Sequence, residues 1–305
     1  MTTLTRRQAL AASAALPAAA LTAGTAQAAA EMKGPSMANH HRFKLGDFEV
    51  TTLLVGTMPR DEIQTIFGMN VSPQEFAQVS KENFIPDDRA QFFFTPTIVN
   101  TGAELILFDT GLNAEGTGAA LAEAGYSPDQ VDKVVITHMH GDHIGGLLTD
   151  GAPTFANAAY YTGAAEFDHW AAADNERFEA NVRPFADQFA FLEDGGEVAS
   201  GISAAAAFGH TPGHMTYVLD SGDKQLLLIA DLANHPVWSL GYPDWEVRFD
   251  MDKEAAAATR RRVLGRLATE RMPFIGYHMP FPAVGYVETR SDGFRYVPAS
   301  YQMML

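Results

Sequence analysis

The chain has 305 residues, 47% of them hydrophobic, which is enough for a sizeable core. Its formal net charge of −16 argues against nucleic acid or an anionic membrane surface as partner, because both are bound by positive charge. The absence of cysteine excludes disulfides and thiolate metal sites, so that any metal must be held by histidine and carboxylate.

The amino-terminal segment has the pattern of an export signal. Arg6-Arg7 is a twin-arginine start, and an alanine-rich apolar run without charge continues to Glu31. Ala26–Ala28 fits the small-x-small rule for cleavage. We therefore predict a twin-arginine signal peptide at residues 1–28, cleavage after Ala28 and a periplasmic location. A retained membrane anchor is disfavoured because a proline and a glycine interrupt the run.

The mature chain is expected to begin with a linker at residues 29–42, followed by one folded domain at residues 43–305. Two apolar segments, 43–45 and 48–54, flank Gly46-Asp47 and predict a β-hairpin. No internal repeat is evident in the sequence.

Residues 57–90 form an apolar segment that is predicted to be partly helical. Ser72-Pro73 is typical of a helix start, with a capping serine and proline at the first helical position. Residues 92–100 and 104–108 predict a further pair of strands, which lead to Asp109. An aspartate at that place either supports a metal-ligating histidine by a hydrogen bond or is a turn residue, and the sequence leaves both open.

Four candidate metal ligands follow the apolar, β-branched run 131–136, which predicts a buried strand. His138 and His140 alternate, so that both can point at one ion. Asp142 and His143 lie on the following turn and can face a neighbouring point. The spacing favours two metals, and it disfavours a solvated loop or an unrelated pair of core histidines.

Further candidate ligands follow later apolar runs. They are His210 and His214 in a Gly-His-Thr-Pro-Gly-His segment, Asp231 after 226–230, and His278 after 274–277. Ligands gathered from the ends of several strands predict an active site on one edge of a sheet scaffold.

The remaining segments supply helices and aromatic side chains. Residues 164–172 and 175–192 predict two helices, the second broken by a proline, and Asp252 is expected to cap an amphipathic helix to about residue 269. Most aromatic side chains here are expected in the core. Three are candidates for the substrate pocket instead, namely Phe94, Trp170 and Trp238.

These motifs resemble the metallo-β-lactamase superfamily over residues 95–280, and the resemblance implies an α+β fold of the αββα sandwich type. The chain further resembles the methyl parathion hydrolase and lactonase group. The matching segments are Leu45–Glu49, Ala124–Tyr126, Ile136–His140 and Gly293–Pro298. The segment 232–238 differs from its counterpart in the phosphotriesterases.

The resemblance implies a ligand for each position of a two-metal centre. One ion would be held by His138, His140 and His214, and the other by Asp142, His143 and His278. Asp231 would bridge the two ions, and His210 and Asp109 would support ligands from behind. Asp142 and Asp231 are the expected catalytic carboxylates.

The implied reaction is hydrolysis by a hydroxide held between two divalent ions, with no separate nucleophilic side chain. Zinc is the expected metal, and manganese, iron or cobalt also suit these ligands. Carboxylic esters or lactones, including N-acyl homoserine lactones, are the favoured substrates. Organophosphate triesters are the alternative, followed by β-lactams, and a metal-binding periplasmic protein without turnover is a further class. The resemblance suggests a homodimer with a small-molecule substrate, no nucleic acid and no stable membrane anchor.

Overall fold

Short apolar runs pair into two seven-stranded sheets in the computed structural model, which describes residues 32, 34 and 36–299. The first sheet contains, in spatial order, β1 (His40–Leu45), β2 (Phe48–Leu53), β5 (Thr97–Asn100), β6 (Leu105–Phe108), β7 (Lys133–Ile136), β10 (Ala159–Gly163) and β11 (Phe189–Leu192). The second contains β12 (Glu197–Ala199), β13 (Ile202–Ala206), β14 (Met215–Ser221), β15 (Lys224–Ala230), β16 (Phe274–Gly276), β17 (Val284–Arg290) and β18 (Gly293–Pro298).

Two hairpins and six α-helices complete the described elements. The hairpins are β3 (Gly56–Asp61) with β4 (Arg89–Phe94), and β8 (Leu148–Thr149) with β9 (Ala152–Pro153). The helices are α1 (Pro73–Glu82), α2 (Ala114–Glu123), α3 (Gly141–Ile144), α4 (Ala164–Ala172), α5 (Glu176–Asn181) and α6 (Lys253–Glu270). Short 3-10 helices lie at Ile63–Thr65, Pro128–Gln130 and Arg183–Gln188.

The two sheets pack face to face and share one apolar core. Val50 and Phe108 of the first sheet belong to the same buried cluster as Tyr217 and Leu228 of the second. The other face of the first sheet is covered by helices, which form a second cluster. The arrangement is the predicted α+β, αββα sandwich.

Parallel pairing in the middle of each sheet determines where the site lies. β6 and β7 are parallel neighbours, and so are β15 and β16. The carboxyl ends of parallel strands meet at one edge of a sheet. The segments that follow β6, β7, β15 and β16 therefore leave the sandwich at such edges, and they carry Asp109, the His138–His143 loop, Asp231 and His278.

Predicted helix starts agree with the structure. The Ser72 side chain accepts from the backbone N–H of Glu75 at 3.2 Å, and that of Asp252 accepts from Ala255 at 3.0 Å. Each satisfies an amide that has no partner inside its helix. Both caps are therefore confirmed.

Three expectations for individual segments are corrected. The helix predicted at 175–192 ends as α5 at Asn181, because a 3-10 turn containing Pro184 follows and residues 189–192 pair with β10 as β11. Residues 56–61, inside the segment expected to be partly helical, form a strand paired with β4. Strand β1 begins at His40, within the expected linker 29–42, because it pairs with β2 over its full length.

The expected signal peptide at residues 1–28 lies outside the described residues, so cleavage after Ala28 and periplasmic export stay predictions. Among the helices that the structure describes, none combines the length and apolar character needed to cross a membrane.

Candidate metal centre

The loop after β7 places two histidine rings against each other. The Thr137 hydroxyl donates to Asp109, so it must accept from the Nδ1 of His138, at 3.2 Å. The Nε2 of His138 therefore carries a lone pair. It lies 3.1 Å from the Nδ1 of His140, the residue that precedes α3.

His210 supplies a third ring nitrogen to the same point. Its Nδ1 donates to the Oδ1 of Asp250 at 2.9 Å, which leaves the Nε2 as an acceptor. That Nε2 lies 3.0 Å from the Nδ1 of His140 and 3.4 Å from the Oδ2 of Asp231. His138, His140, His210 and Asp231 thus form one group able to hold a cation.

His214 lies beside the same group and is held from two sides. Its Nδ1 donates to the carbonyl of Ala207 at 3.1 Å, and its Nε2 lies 3.2 Å from the backbone nitrogen of Asp231 as an acceptor. Both ring nitrogens are therefore used in holding the chain. The role of His214 as a metal ligand stays a prediction, and His210 is a further candidate because its Nε2 lies within the cation group.

A second group combines the acidic and basic residues of α3 with His278. His143 donates from Nδ1 to Asp109 at 2.9 Å, and its Nε2 lies 3.6 Å from the Oδ2 of Asp142. His278 donates from Nδ1 to the carbonyl of Phe93 at 2.8 Å, and its Nε2 lies 3.3 Å from the same carboxylate oxygen. Asp142, His143 and His278 are the members predicted for one ion.

Asp231 lies between the two groups. Its Oδ2 is 3.1 Å from the Nε2 of His278 and 3.4 Å from the Nε2 of His210, and its Oδ1 is 3.3 Å from the Nε2 of His143. The Asn234 side chain donates to Oδ2 at 2.9 Å and restrains the carboxylate. A single aspartate can therefore face both groups, as a bridging ligand must.

The buried polar atoms fit two cations. The Nε2 of His143 and the Oδ1 of Asp231 are buried and have no hydrogen-bond partner among the described residues. The Nδ1 of His140 lies near the Nε2 of both His138 and His210. A single proton on this Nδ1 can be donated to only one of them, so at least one contact leaves two nitrogen lone pairs facing each other. Cations relieve both problems, and imidazole with carboxylate is a donor set for zinc and similar divalent metals.

Charge differs between the two groups. Burial, followed by the neighbouring His210, lowers the pKa of His140 to about 3. Burial also opposes charge on His278, but Asp231 and Asp142 outweigh it and raise its pKa to about 10. Against the same burial, Asp109 and Asp231 raise the pKa of His143 well above its ordinary value. The lowered pKa keeps the ring of His140 neutral, the form in which an imidazole binds a metal, whereas the raised pKa values of His143 and His278 favour protons beside the acids of the second group.

Asp109 has both of the roles that the sequence left open. Its backbone adopts a φ of 62°, a left-handed turn at the end of β6. Its carboxylate accepts from the Nδ1 of His143 and from the backbone and hydroxyl of Thr137, each at 2.9 Å. The turn therefore aims a carboxylate that orients the ring of His143.

Glu166 joins two of the metal-binding loops and was not predicted. Its buried carboxylate accepts from the backbone of Met139 at 2.8 Å, between two candidate ligands. It also accepts from the Thr211 hydroxyl at 2.6 Å and the Gly213 backbone at 2.9 Å, in the loop that carries His210. Only its spacing of four residues from Trp170 could have signalled a contact, because the loops that it joins are distant in sequence.

Asp250 was also not predicted, and it orients His210 from behind. Its second oxygen accepts from Arg260 at 2.8 Å, and both side chains are buried. Arg260 comes from α6, so that this helix is connected to the candidate metal centre through one carboxylate. No local sequence pattern distinguishes Asp250 from other loop aspartates.

A cavity of about 420 Å³ opens onto both groups. Asp142, Asp231, His140 and His278 line it from the candidate metal centre. Phe92 and Phe94 are packed edge-on against His278, with ring centroids 5.5 Å from it. The cavity therefore combines polar groups able to bind metal with apolar walls.

Of the three predicted pocket residues, Phe94 lines this cavity and the two tryptophans do not. The Trp170 indole is buried and donates to Glu166 at 2.6 Å. The Trp238 indole is also buried, stacks on His235 at 4.0 Å and donates to Ser80 at 3.0 Å. Both are core residues, because each finds a partner for its N–H in the interior.

A family model described as the metallo-beta-lactamase superfamily matches residues 95–270, more than half of the chain. The chain belongs to the metallo-beta-lactamase superfamily. The predicted family and sandwich fold are confirmed, and membership makes the chain a metal-dependent hydrolase of this superfamily. The likeness to the methyl parathion hydrolase group within the superfamily stays a prediction.

Solved structures of the superfamily resemble the chain over most of its length. One is AidC, a dizinc quorum-quenching lactonase in complex with the product N-hexanoyl-L-homoserine. It is 26% identical with a TM-score of 0.81, and the match covers 86% of this chain and 98% of that one. The hydrolase AbOPH is 24% identical with a TM-score of 0.79, covering 88% and 99%, and supports the fold alone.

Curated relatives match only short segments. Ribonuclease BN of Enterobacter sp. (strain 638) is 51% identical over 47 residues, 15% of this chain and 14% of its own. The anti-Pycsar protein Apyc1 of Paenibacillus sp. (strain J14) is 39% identical over 57 residues, 19% and 22% of the two chains. The chain thus matches between about a seventh and a fifth of the length of these two relatives.

Proposed function

We propose that the protein is a binuclear metal-dependent hydrolase of carboxylic esters and lactones, with N-acyl homoserine lactones among the candidate substrates. The observation that carries the proposal is the position of Asp231. This carboxylate faces His210 and His278, one from each group, at 3.4 and 3.1 Å, and lies at a cavity with apolar walls. A shared carboxylate is what holds two ions close enough to act on one bond.

The assignment of ligands follows the ring orientations. We assign His138, His140 and His210 to one ion, Asp142, His143 and His278 to the other, and Asp231 to both. When bound, two divalent ions would lower the pKa of a water molecule and polarise the oxygen of the substrate's reactive bond. Zinc is the proposed metal, because imidazole and carboxylate suit it, although manganese, iron and cobalt accept the same ligands.

The protein itself orients the reactants. The Asp142 carboxylate lines the cavity, and its backbone carbonyl accepts from the Tyr277 hydroxyl at 2.6 Å, which restrains the turn. We propose that this carboxylate orients the attacking water. Phe92 and Phe94 exclude other water from the face of His278, where the substrate would approach.

A carbonyl centre is preferred to a phosphoryl centre because of the similarity to AidC, which is described as a lactonase bound to an acyl homoserine product and shares 26% identity over nearly its whole length. Phosphotriester hydrolysis needs the same metals and differs in the shape of the substrate. It is therefore the rival that the first experiment must separate.

The deciding experiment is a rate panel on the purified mature protein, with metal content measured on the same sample. An acyl homoserine lactone, an aryl ester and a methyl phosphotriester would be compared by kcat/KM. We expect the lactone or the ester to exceed the phosphotriester by orders of magnitude. A faster phosphotriester would reverse the order of the two candidates, and a protein with two ions that turns over none of the three would refute the substrate class.

A further inference from the structure

Two arginines, Arg60 on β3 and Arg177 on α5, line the cavity of the candidate metal centre. Both are exposed. Neither side chain makes a hydrogen bond or an ion pair with any residue in the described part of the chain. The chain has 37 acidic residues against 21 lysines and arginines, and Asp142 and Asp231 line the same cavity, yet neither arginine is paired with an acid.

Other arginines of the chain illustrate the contrast. Arg183 lies 2.8 Å from Glu179, and Arg266 lies 2.9 Å from Glu270, each in an exposed pair. Arg248 and Arg271 are also exposed and make no ion pair in the described part of the chain, so what distinguishes Arg60 and Arg177 is their position at the cavity. The two cavity arginines keep their five donors each for a partner that enters the cavity.

Arg177 lies along the metal-binding loop itself. A Cβ placed on Gly141 would be 3.4 Å from its Cγ, 3.5 Å from its Cδ and 3.6 Å from its Nε. Gly141 separates His140 from Asp142, and all three line the same cavity. The guanidinium side chain therefore runs beside the candidate metal ligands.

Arg60 lies at the outer end of an apolar wall. In the β3–β4 register Met58 is opposite Phe92, and Arg60 is two residues further along the same face of the hairpin. Phe92 contacts His278. Two residues of strand span about 7 Å, so a substrate would pass an apolar stretch before it reaches Arg60.

We infer that the substrate carries a carboxylate on the part of the molecule away from the bond that is cut, and that Arg60 and Arg177 bind this group. A guanidinium binds a carboxylate through two parallel hydrogen bonds. The net charge of −16 repels anions from most of the surface, so an anionic substrate needs a local cationic site of this kind. The inference rests on the proposed ester and lactone hydrolysis and narrows its substrate class to esters and lactones that carry a carboxylate, which leaves out simple N-acyl homoserine lactones.

The test compares two esters of equal acyl length on the metal-loaded enzyme, p-nitrophenyl hydrogen glutarate and p-nitrophenyl pentanoate. Only the first bears a terminal carboxylate, and the uncatalysed rate of each is subtracted. For the glutarate ester we expect R60Q and R177Q each to lower kcat/KM about five- to tenfold, mainly through KM. The pentanoate ester should change less than about twofold, because the arginines contribute little to its binding.

Arg89 provides the matched control. It is exposed, lies on β4 beside the partner of Arg60 and does not line the cavity. R89Q removes the same charge from the same hairpin and should leave the ratio of the two rates unchanged. If R60Q and R177Q change both esters equally, or change neither, the carboxylate site is refuted.

Binding of free glutarate separates this inference from the proposed function. Calorimetry with the wild-type holoenzyme and the R60Q/R177Q double variant, at equal metal content, needs no turnover. If the wild type hydrolyses neither ester but binds glutarate, and the double variant no longer binds it, the anion site stands and the proposed function fails. Equal glutarate binding in both proteins would overturn the anion site, whatever the rates.

Discussion

His210 and His214 lie four residues apart in one loop, and their Nε2 atoms face different groups: that of His210 lies near His140 and the Asp231 carboxylate, and that of His214 lies near the Asp231 backbone nitrogen. The hydrogen bond from each Nδ1 decides this. Asp250 holds His210 with its Nε2 at the cation group, and the carbonyl of Ala207 holds His214 with its Nε2 at the backbone of Asp231. The spacing of the two histidines alone does not contain that information.

Metal content can test the proposal that His210, and not His214, is the ligand. We expect His210→Ala to lose one of two bound ions, because a ligand nitrogen is removed. His214→Ala should keep both ions and lose about 1–3 kcal/mol of stability, because two buried hydrogen bonds are lost. Mass spectrometry of the metals and denaturant unfolding would be measured on both variants. Loss of an ion from His214→Ala alone would restore the original assignment.

Glu166 is the second residue whose role can be tested alone. The Glu166 carboxylate accepts hydrogen bonds from N–H and O–H donors on both of its oxygens. A glutamine keeps one acceptor oxygen, and its NH2 group would face some of these donors. We expect Glu166→Gln to lower the free energy of unfolding by about 3 kcal/mol. Metal affinity should fall as well, because the loops of His140 and His210 lose their common support.

Denaturant unfolding and a chelator competition would measure these two effects, and the tryptophan emission should shift because Trp170 loses its acceptor. Glu179→Gln is the control. It removes a carboxylate from an exposed pair with Arg183 and should leave both quantities unchanged. Unchanged metal affinity in Glu166→Gln would show that the loops keep their positions without it.

At the scale of elements, the turn after α3 is packed against the segment after β6. A Cβ on Gly146 would lie 2.1 Å from the carbonyl oxygen of Thr110, and a Cβ on Gly145 would lie 2.2 Å from that of Leu112. Real Cβ atoms do not approach backbone so closely, so both positions require glycine. This contact fixes α3, and with it Asp142 and His143, against the first sheet.

We therefore expect Gly146→Ala to destabilise the protein by about 2–4 kcal/mol, because backbone must move to make room. Gly118→Ala in α2 is the comparison, since nothing lies within 4 Å of its added Cβ. That variant should gain about 0.5–1 kcal/mol from the helix propensity of alanine. Thermal or denaturant unfolding of both would decide, and equal stabilities would contradict the close packing.

At the scale of the whole molecule, the metal centre joins the two halves of the sandwich. Its residues follow strands of both sheets, so metal binding and folding are coupled. In the metal-free protein the pKa of His278 is raised to about 10 and that of His143 is raised as well. A raised pKa means that the folded state holds these protons more tightly than the unfolded chain does.

The stability of the metal-free protein should fall as the pH rises above neutrality. The stability that these protons contribute is fully present below the unfolded pKa of about 6.5 and is lost as pH rises towards the folded value. Metal-free protein should therefore become less stable between pH 7 and 10, and the metal-loaded protein should lose less. Unfolding across that range with and without zinc would test this, and a metal-free protein that gains stability there would contradict it.

Metal loading should also release protons. The raised pKa values of His143 and His278 mean that the metal-free protein holds protons on these rings more tightly, so binding two ions should release protons from them, up to two in number. Calorimetry in buffers of different ionisation enthalpy measures that number. No release would mean that neither ring gives up a proton to a metal.

Local patterns along the chain were sufficient for many of the strands, the helix caps at Ser72 and Asp252, and most of the residues now found together at the candidate metal centre, whereas the sandwich was implied by the family resemblance. The reason is physical. Strand alternation, capping side chains and a cluster such as His138–His143 act over a few residues, so a linear sequence records them. The same cluster, with later histidines and Asp231 after apolar strands, indicated two metals before any fold was known.

Tertiary structure decided the matters that depend on contacts between distant segments. The orientation of the His210 ring depends on Asp250, forty residues away in the chain. The tryptophans expected at the pocket are core residues because Glu166 and Ser80 accept their indole protons. The cavity instead takes its walls from the β3–β4 hairpin and α5, and it is the packing of these elements that brings Arg60 and Arg177 to the candidate metal centre.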